Sequence, residues 1–122
     1  LVLYTYPKDN TSGCTAEACS LRDNKDALAE KGYVILGVSK DSAASHQRFI
    51  EKQGLNFDLI ADTETTLLQE LGAWGEKKMC GKTTIGTLRT TYIVDENGVI
   101  TNIFTPKQIK TAEHAQQILE VL

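Results

Sequence analysis

Nowhere does the 122-residue chain hold an apolar run approaching the roughly 20 residues that a membrane-spanning helix needs. Internal repeats and low-complexity tracts are absent as well, so neither a membrane-embedded nor a solenoid protein is expected. There is no basic block. The 16 acidic and 13 basic side chains are mixed along the chain for a formal charge of −3, unlike the Lys/Arg clusters that neutralise phosphates, and nucleic acid is not an expected partner. Cysteine is scarce. Three residues, an odd number, argue against a secreted disulfide framework and for a reducing compartment, the cytoplasm, where the sequon Asn10-Thr11-Ser12 is accidental. No methionine opens the chain, and Leu1-Val2-Leu3-Tyr4-Thr5-Tyr6 already reads as a buried strand. The start therefore looks cut, with any preceding targeting segment out of view.

What is present is ordinary for a globular protein: 41% hydrophobic and 24% charged residues, in a length that suits one domain over 1–122. After the first strand, Pro7 to Ser12 is a polar loop, and 13–31 carries good helix formers until Gly32 stops it. Tyr33 to Val38 is a short apolar run suited to a strand buried on both faces of a parallel sheet. Ser42 is placed to cap a helix ending at Gly54, with Phe49 and Ile50 on its apolar side. A strand around Leu59-Ile60 and a helix over 64–71 follow. The segment 74–86, with its glycines and lysines and no periodicity, reads as an exposed loop. Thr87 to Val94 and Val99 to Phe104 flank Asp95-Glu96-Asn97-Gly98, a hairpin signal, and a last helix covers 112–121. The order βαβαβαββα predicts an α/β three-layer sandwich around a central mixed sheet, close to a thioredoxin-like layout with one extra β-α unit.

The chemistry concentrates where the polar loop gives way to the first helix, at Gly13-Cys14. Free backbone N–H groups and the positive end of the helix dipole favour a thiolate, the attacking form of a cysteine. Gly13 allows close backbone approach, and the Thr11 hydroxyl can bond a sulfur or a bound oxygen. Cysteine is also among the residues most often buried as inert packing, and the local residues leave both readings open. Cys19 adds a second thiol five positions on, able to capture an oxidised first sulfur. In an intact helix, Cα atoms at i and i+5 lie about 8 to 9 Å apart. A disulfide needs them within ~7 Å, so the first turns must unwind before such a bond closes.

These residues resemble the peroxiredoxin family, in particular its bacterioferritin comigratory protein or peroxiredoxin Q branch. Pro7, Thr11 and Cys14 match the family signature of proline, three residues, threonine, two residues, cysteine. Thr15, Glu17, Cys19 and Leu21-Arg22-Asp23 continue the match, as do Leu36-Gly37-Val38-Ser39, Phe57 with Leu59, Trp74-Gly75-Glu76-Lys77, Gly81-Lys82-Thr83 and Arg89. The resemblance implies a thioredoxin-like, peroxiredoxin-type domain that lacks one N-terminal hairpin, and a thiol peroxidase without metal or organic cofactor. Cys14 is then the peroxidatic cysteine, passing through a sulfenic acid. Thr11 and Arg89 hold the peroxide, Pro7 shields the sulfur, and Cys19 is the resolving cysteine. The substrates implied are hydrogen peroxide and alkyl hydroperoxides, the reductant is thioredoxin or a similar dithiol, and a monomer suffices for an intramolecular disulfide.

Taken alone, Arg89 on an alternating strand reads as a surface or ion-paired residue, and Glu17 and Arg22 as a solvated helical face; the branch suggests a supporting polar network for the latter pair. Cys80 departs from the pattern and is expected to be a non-catalytic thiol. Gly81-Lys82-Thr83-Thr84 is no phosphate loop, because the spacing from Gly75 is wrong and a strand follows. Three cysteines with His46 or His114 offer no zinc-knuckle spacing, and both histidines are expected on exposed helix surface. A redox sensor, reacting about once per molecule, and a purely structural module are the rival classes.

Overall fold

The structure, a computed structural model, describes residues 1–79 and 81–122. Cys80 lies outside the described residues. Strand β1 (Val2–Thr5) occupies the middle of a five-stranded sheet, with parallel β2 (Ile35–Ser39) on one side and antiparallel β6 (Thr90–Val94) on the other. Strands β3 (Asp58–Ala61) and β7 (Ile100–Phe104) are its edges, giving the order β3-β2-β1-β6-β7. The mixed sheet expected from the sequence is therefore present. From β1 the chain steps outward to β2 and then β3, so right-handed crossovers carry the intervening helices to one face. These are α1 (Ser12–Asp23), α2 (Lys25–Glu30) and α3 (Ala43–Gln53). The closing helix α5 (His114–Val121) joins them, and Val2, Tyr4 and Tyr6 bury their side chains in the same cluster as Cys14, Ala18, Leu21, Phe49, Ala115 and Ile118. Helix α4 (Thr66–Glu70) supplies a smaller cluster, Leu68 with Val38 and Ala73, against which the intervening β1 residue Leu3 packs. Alternation along β1 thus feeds two cores, one on each face, and three layers result.

Helix α3 follows its sequence signals: the Ser42 hydroxyl accepts from the Ser45 amide at 3.1 Å, and Gly54 ends the helix at φ +60°. The long first helix does not. It breaks at Asn24, whose side-chain amide donates to the Ser20 carbonyl at 2.8 Å, so α1 and α2 are separate pieces. The segment expected as a loop is a β-ribbon, β4 (Trp74–Met79) paired antiparallel with β5 (Lys82–Thr87). Residues 82–85 of β5 are exposed, so no apolar alternation marks the ribbon, and its base, through Trp74 and the buried Gly86 and Thr87, joins the rest of the fold. The run expected as one strand over 87–94 divides as well: Thr87 ends β5 and Thr90 begins β6, leaving Leu88 and Arg89 in the link. At the far end, a 3-10 turn (Thr111–Glu113) precedes α5.

Candidate active site

Helix α1 buries Cys14, Glu17, Ala18 and Leu21, a stripe at the 3-4 spacing of one helix face. Two of those four residues carry chemistry. Thr11 occupies the N-cap position with extended backbone, and its carbonyl accepts from the Thr15 amide at 2.8 Å, so Cys14 falls in the first turn. There the amides without helical partners and the helix dipole both favour negative charge on a side chain.

Arg89, delivered by the link between β5 and β6, organises the sulfur. Its Nη2 donates to Cys14 Sγ at 3.3 Å while its Nη1 donates to Glu17 Oε1 at 2.7 Å. One rigid guanidinium fork therefore bridges the thiol and a wholly buried carboxylate. The fork passes close over the helix start: a Cβ on Gly13 would lie 3.3 Å from Arg89 Nη2. Burial alone would weaken the Arg89 charge, but Glu17 and Cys14 more than offset it, and the guanidinium titrates above its ordinary range. Burial pushes the Glu17 carboxyl up to about 7 against the pull of Arg89. Its second oxygen, Oε2, has no hydrogen-bond partner among the described residues and lies 3.9 Å from His114 Nε2. That contact is not an ion pair. Burial and the nearby Arg89 charge lower the His114 pKa; with Nδ1–H donating to Gln117 Oε1 at 2.9 Å, Nε2 is the acceptor for the Thr91 hydroxyl at 2.7 Å.

The other expected site residues stand around this pair at different distances. Pro7 is half-buried at the start of the loop. Thr11 is exposed, with its hydroxyl donating to the Lys8 carbonyl at 2.9 Å, so that bond fixes the loop, and among the described residues no donor occupies the oxygen's acceptor side. Cys19 is half-buried, Cys14 is buried, and the two sulfurs are not bonded to each other; the Cys19 Sγ–H donates to Gln53 Oε1 at 3.7 Å. Both cysteines belong to the unbroken α1 helix.

Three expectations of solvent exposure fail, each because a partner arrives from elsewhere in the chain. Glu17 is buried beneath Arg89, 72 residues away. His114 is buried against Thr91, with the Phe104 ring edge-on at 5.3 Å. His46 is buried too, its Nδ1 2.7 Å from Asp9 Oδ2 and its Nε2 3.0 Å from the Ile60 carbonyl. Two acceptors on two ring nitrogens require both to carry hydrogen, so His46 is an imidazolium. Burial works against that charge, yet the hydrogen bond and charge of Asp9 raise its pKa. Asp9 also accepts from Tyr6 Oη at 2.6 Å and Ser45 Oγ at 2.8 Å, which together with His46 keep its carboxyl below the ordinary range despite burial. Because Asp9 lies midway between Pro7 and Thr11, this network anchors the loop that leads into Cys14. Sequence reasoning missed it, although His46 shares the face of Phe49 and Ile50 at helical spacing, a usable hint of burial.

Comparisons with known proteins show the family to which the chain belongs. Residues 1–103, which include every expected site residue, match the AhpC/TSA family. The chain belongs to that family. It is 40% identical over 122 residues to peroxiredoxin Bcp of Escherichia coli, covering all of this chain and 77% of the relative. Peroxiredoxin Q of Xanthomonas campestris superposes with a TM-score of 0.90 at 36% identity, over 98% of this chain and 75% of that one. A second structure, of the Xanthomonas campestris bacterioferritin comigratory protein, was determined in connection with alkyl peroxide reduction by that protein; it superposes at 0.89 with 35% identity, over 98% and 75% of the two chains. This chain is accordingly a peroxiredoxin of the Bcp/Q branch with a thioredoxin-like fold, and an oxidoreductase of the thiol peroxidase class.

Proposed function

We propose that this peroxiredoxin reduces hydrogen peroxide and alkyl hydroperoxides through a Cys14 sulfenic acid that Cys19 resolves as an intramolecular disulfide, with thioredoxin or a similar dithiol restoring both thiols. The observation that carries it is the Arg89 fork, one arm on Cys14 Sγ and the other on Glu17. In the first step the Cys14 thiolate attacks one peroxide oxygen; the S–O bond forms, the O–O bond breaks, and the departing oxygen takes a proton and leaves as water or an alcohol. Arg89 keeps a fixed positive charge beside the sulfur as charge moves onto the leaving oxygen. Thr11, whose oxygen keeps an acceptor side at the helix start, orients the peroxide O–H, and Pro7 limits water at the sulfur.

The second step follows when Cys19 sulfur attacks Cys14 sulfur: the S–O bond breaks, hydroxide leaves, and with the proton from Cys19 it becomes water. Thiol exchange with the external dithiol then transfers the oxidation outward. An alkyl hydroperoxide substrate is supported by the alkyl peroxide reduction of the Xanthomonas campestris relative. Because both cysteines lie on one helix, a monomer suffices, and a reducing compartment such as the cytoplasm suits a cycle that begins with two free thiols.

Peroxide-dependent oxidation of thioredoxin by wild type, Cys14→Ser and Cys19→Ser tests the assignment. Wild type consumes many equivalents of peroxide per molecule, Cys14→Ser none, and Cys19→Ser stalls as a trappable sulfenic acid that overoxidises. Full activity in Cys14→Ser would overturn it, and a single turnover by wild type with thioredoxin present would make the protein a sensor.

A further inference from the structure

The C-terminus of α3 grips α1 at the resolving cysteine. Gln53, the last residue of α3, accepts the Cys19 Sγ–H on its side-chain oxygen at 3.7 Å and receives Arg22 Nη1 on its backbone carbonyl. Three residues on, Asn56 Nδ2 donates to the Arg22 carbonyl at 3.2 Å, and the Asn56 carbonyl accepts from Lys25 Nζ. Residues 53–56 thus hold one turn of α1 by both its side chains and its backbone. Arg22 fixes the Gln53 carbonyl, and the Gln53 amide oxygen is left directed at Cys19.

We propose that Gln53 is a positioning residue for the resolution step: it retains the Cys19 thiol in the folded helix and thereby sets how long the Cys14 sulfenic acid survives. The proposal rests on Cys19 as the resolving cysteine. The unwinding that brings Cys19 within disulfide reach of Cys14 must first break the Gln53 bond, so the bond contributes to the barrier of resolution and not to that of peroxide attack. While Cys19 is held, a second peroxide can take the sulfenic acid instead, oxidising it to sulfinic acid and leaving as water.

Two substitutions act in opposite directions. Gln53→Met keeps the length and packing of the stem but removes the acceptor. Gln53→Glu keeps the acceptor, adds a negative charge that disfavours the Cys19 thiolate, and lies beside the Arg22 guanidinium. Reduced protein is mixed with one equivalent of hydrogen peroxide, quenched at intervals, and scored by mass for thiol, sulfenic acid and disulfide; a parallel series in excess peroxide scores sulfinic acid. The loss of Cys14 thiol should stay within about twofold of wild type in both variants. Disulfide formation should be about two- to fivefold faster in Gln53→Met, the scale of one weak hydrogen bond, with less sulfinic acid, and slower in Gln53→Glu, with more. General loosening of the helix would accelerate both variants. Equal resolution rates in all three proteins, or acceleration in both variants, would overturn the clasp alone; wild type forming no Cys14–Cys19 bond would overturn the clasp and the resolving role together.

Discussion

At the scale of single residues, the site depends on one guanidinium that bridges a sulfur and a buried carboxyl group. Replacing Arg89 by Ala removes the donor on Cys14 Sγ and leaves Glu17 buried without its partner. The second-order rate of Cys14 oxidation, followed by stopped flow, should fall about 10²- to 10³-fold, the usual loss for one preorganised donor. Arg89→Lys should recover little of it, because a single ammonium cannot span a sulfur and a carboxylate. Gly13 belongs to the same contact. An alanine there would place Cβ 3.3 Å from Arg89 Nη2, so Gly13→Ala should slow peroxide reduction through displacement of the fork while its thermal midpoint changes little. Glu17 sets a pH dependence. Its carboxyl titrates at about 7 when folded against 4.5 in its ordinary state, so the folded protein holds the extra proton between those values. The associated stability is complete below about pH 4.5 and disappears as pH rises through about 7, an effect of order 3 kcal/mol. Urea unfolding of wild type and Glu17→Gln across that window checks the sign: wild type should lose stability relative to the variant as pH rises. Position and spacing marked Cys14 and Cys19 as candidates, and their proposed roles came with the family resemblance, whereas Glu17 carried no local signal of burial, since its partner stands 72 residues away.

At the scale of elements, the strand and helix signals that worked were those whose physics is local. The Ser42 cap, the Gly54 stop and the Asn97-Gly98 turn each need only neighbouring residues to act, and each appears where expected. The β4–β5 ribbon gave no such signal because a strand pair with exposed residues needs no apolar alternation. Gly37 shows how closely the central elements meet: a Cβ there would stand 2.7 Å from Leu59 Cδ2 and 3.0 Å from the Tyr4 ring. Gly37→Ala should therefore cost about 1–3 kcal/mol of unfolding free energy by overpacking, measured from the denaturant midpoint at constant m-value. The loop before α1 is tied down by the buried Asp9–His46 pair. His46 titrates above its ordinary 6.5 when folded and Asp9 below its ordinary 3.8, so the pair's contribution is whole between 3.8 and 6.5, is lost as pH rises through the raised His46 value, and is lost again as pH falls through the lowered Asp9 value. Exchange of the backbone amides of residues 8–11 should accelerate over that rise in wild type, and be fast at every pH in Asp9→Asn.

For the molecule as a whole, the outward walk from β1 to β2 to β3 places α1 and α3 side by side on one face of the sheet, and the antiparallel return through β6 brings Arg89 over the start of α1. The α/β class, the mixed sheet and the position of the reactive cysteine at a loop-to-helix junction were already determined by the sequence. They rest on hydrophobic periodicity, capping and turn residues, which act over a few positions along the chain. What tertiary structure alone decided were the burial and charge of side chains whose partners are distant in sequence. Glu17 changed from a solvated residue to a half-satisfied buried acid, His46 became a buried imidazolium, His114 a buried neutral ring, and Gln53 a ligand of the Cys19 thiol. Desolvation and hydrogen bonding depend on which surfaces the fold presses together; helical spacing hinted at the burial of His46, but no local pattern names the partners.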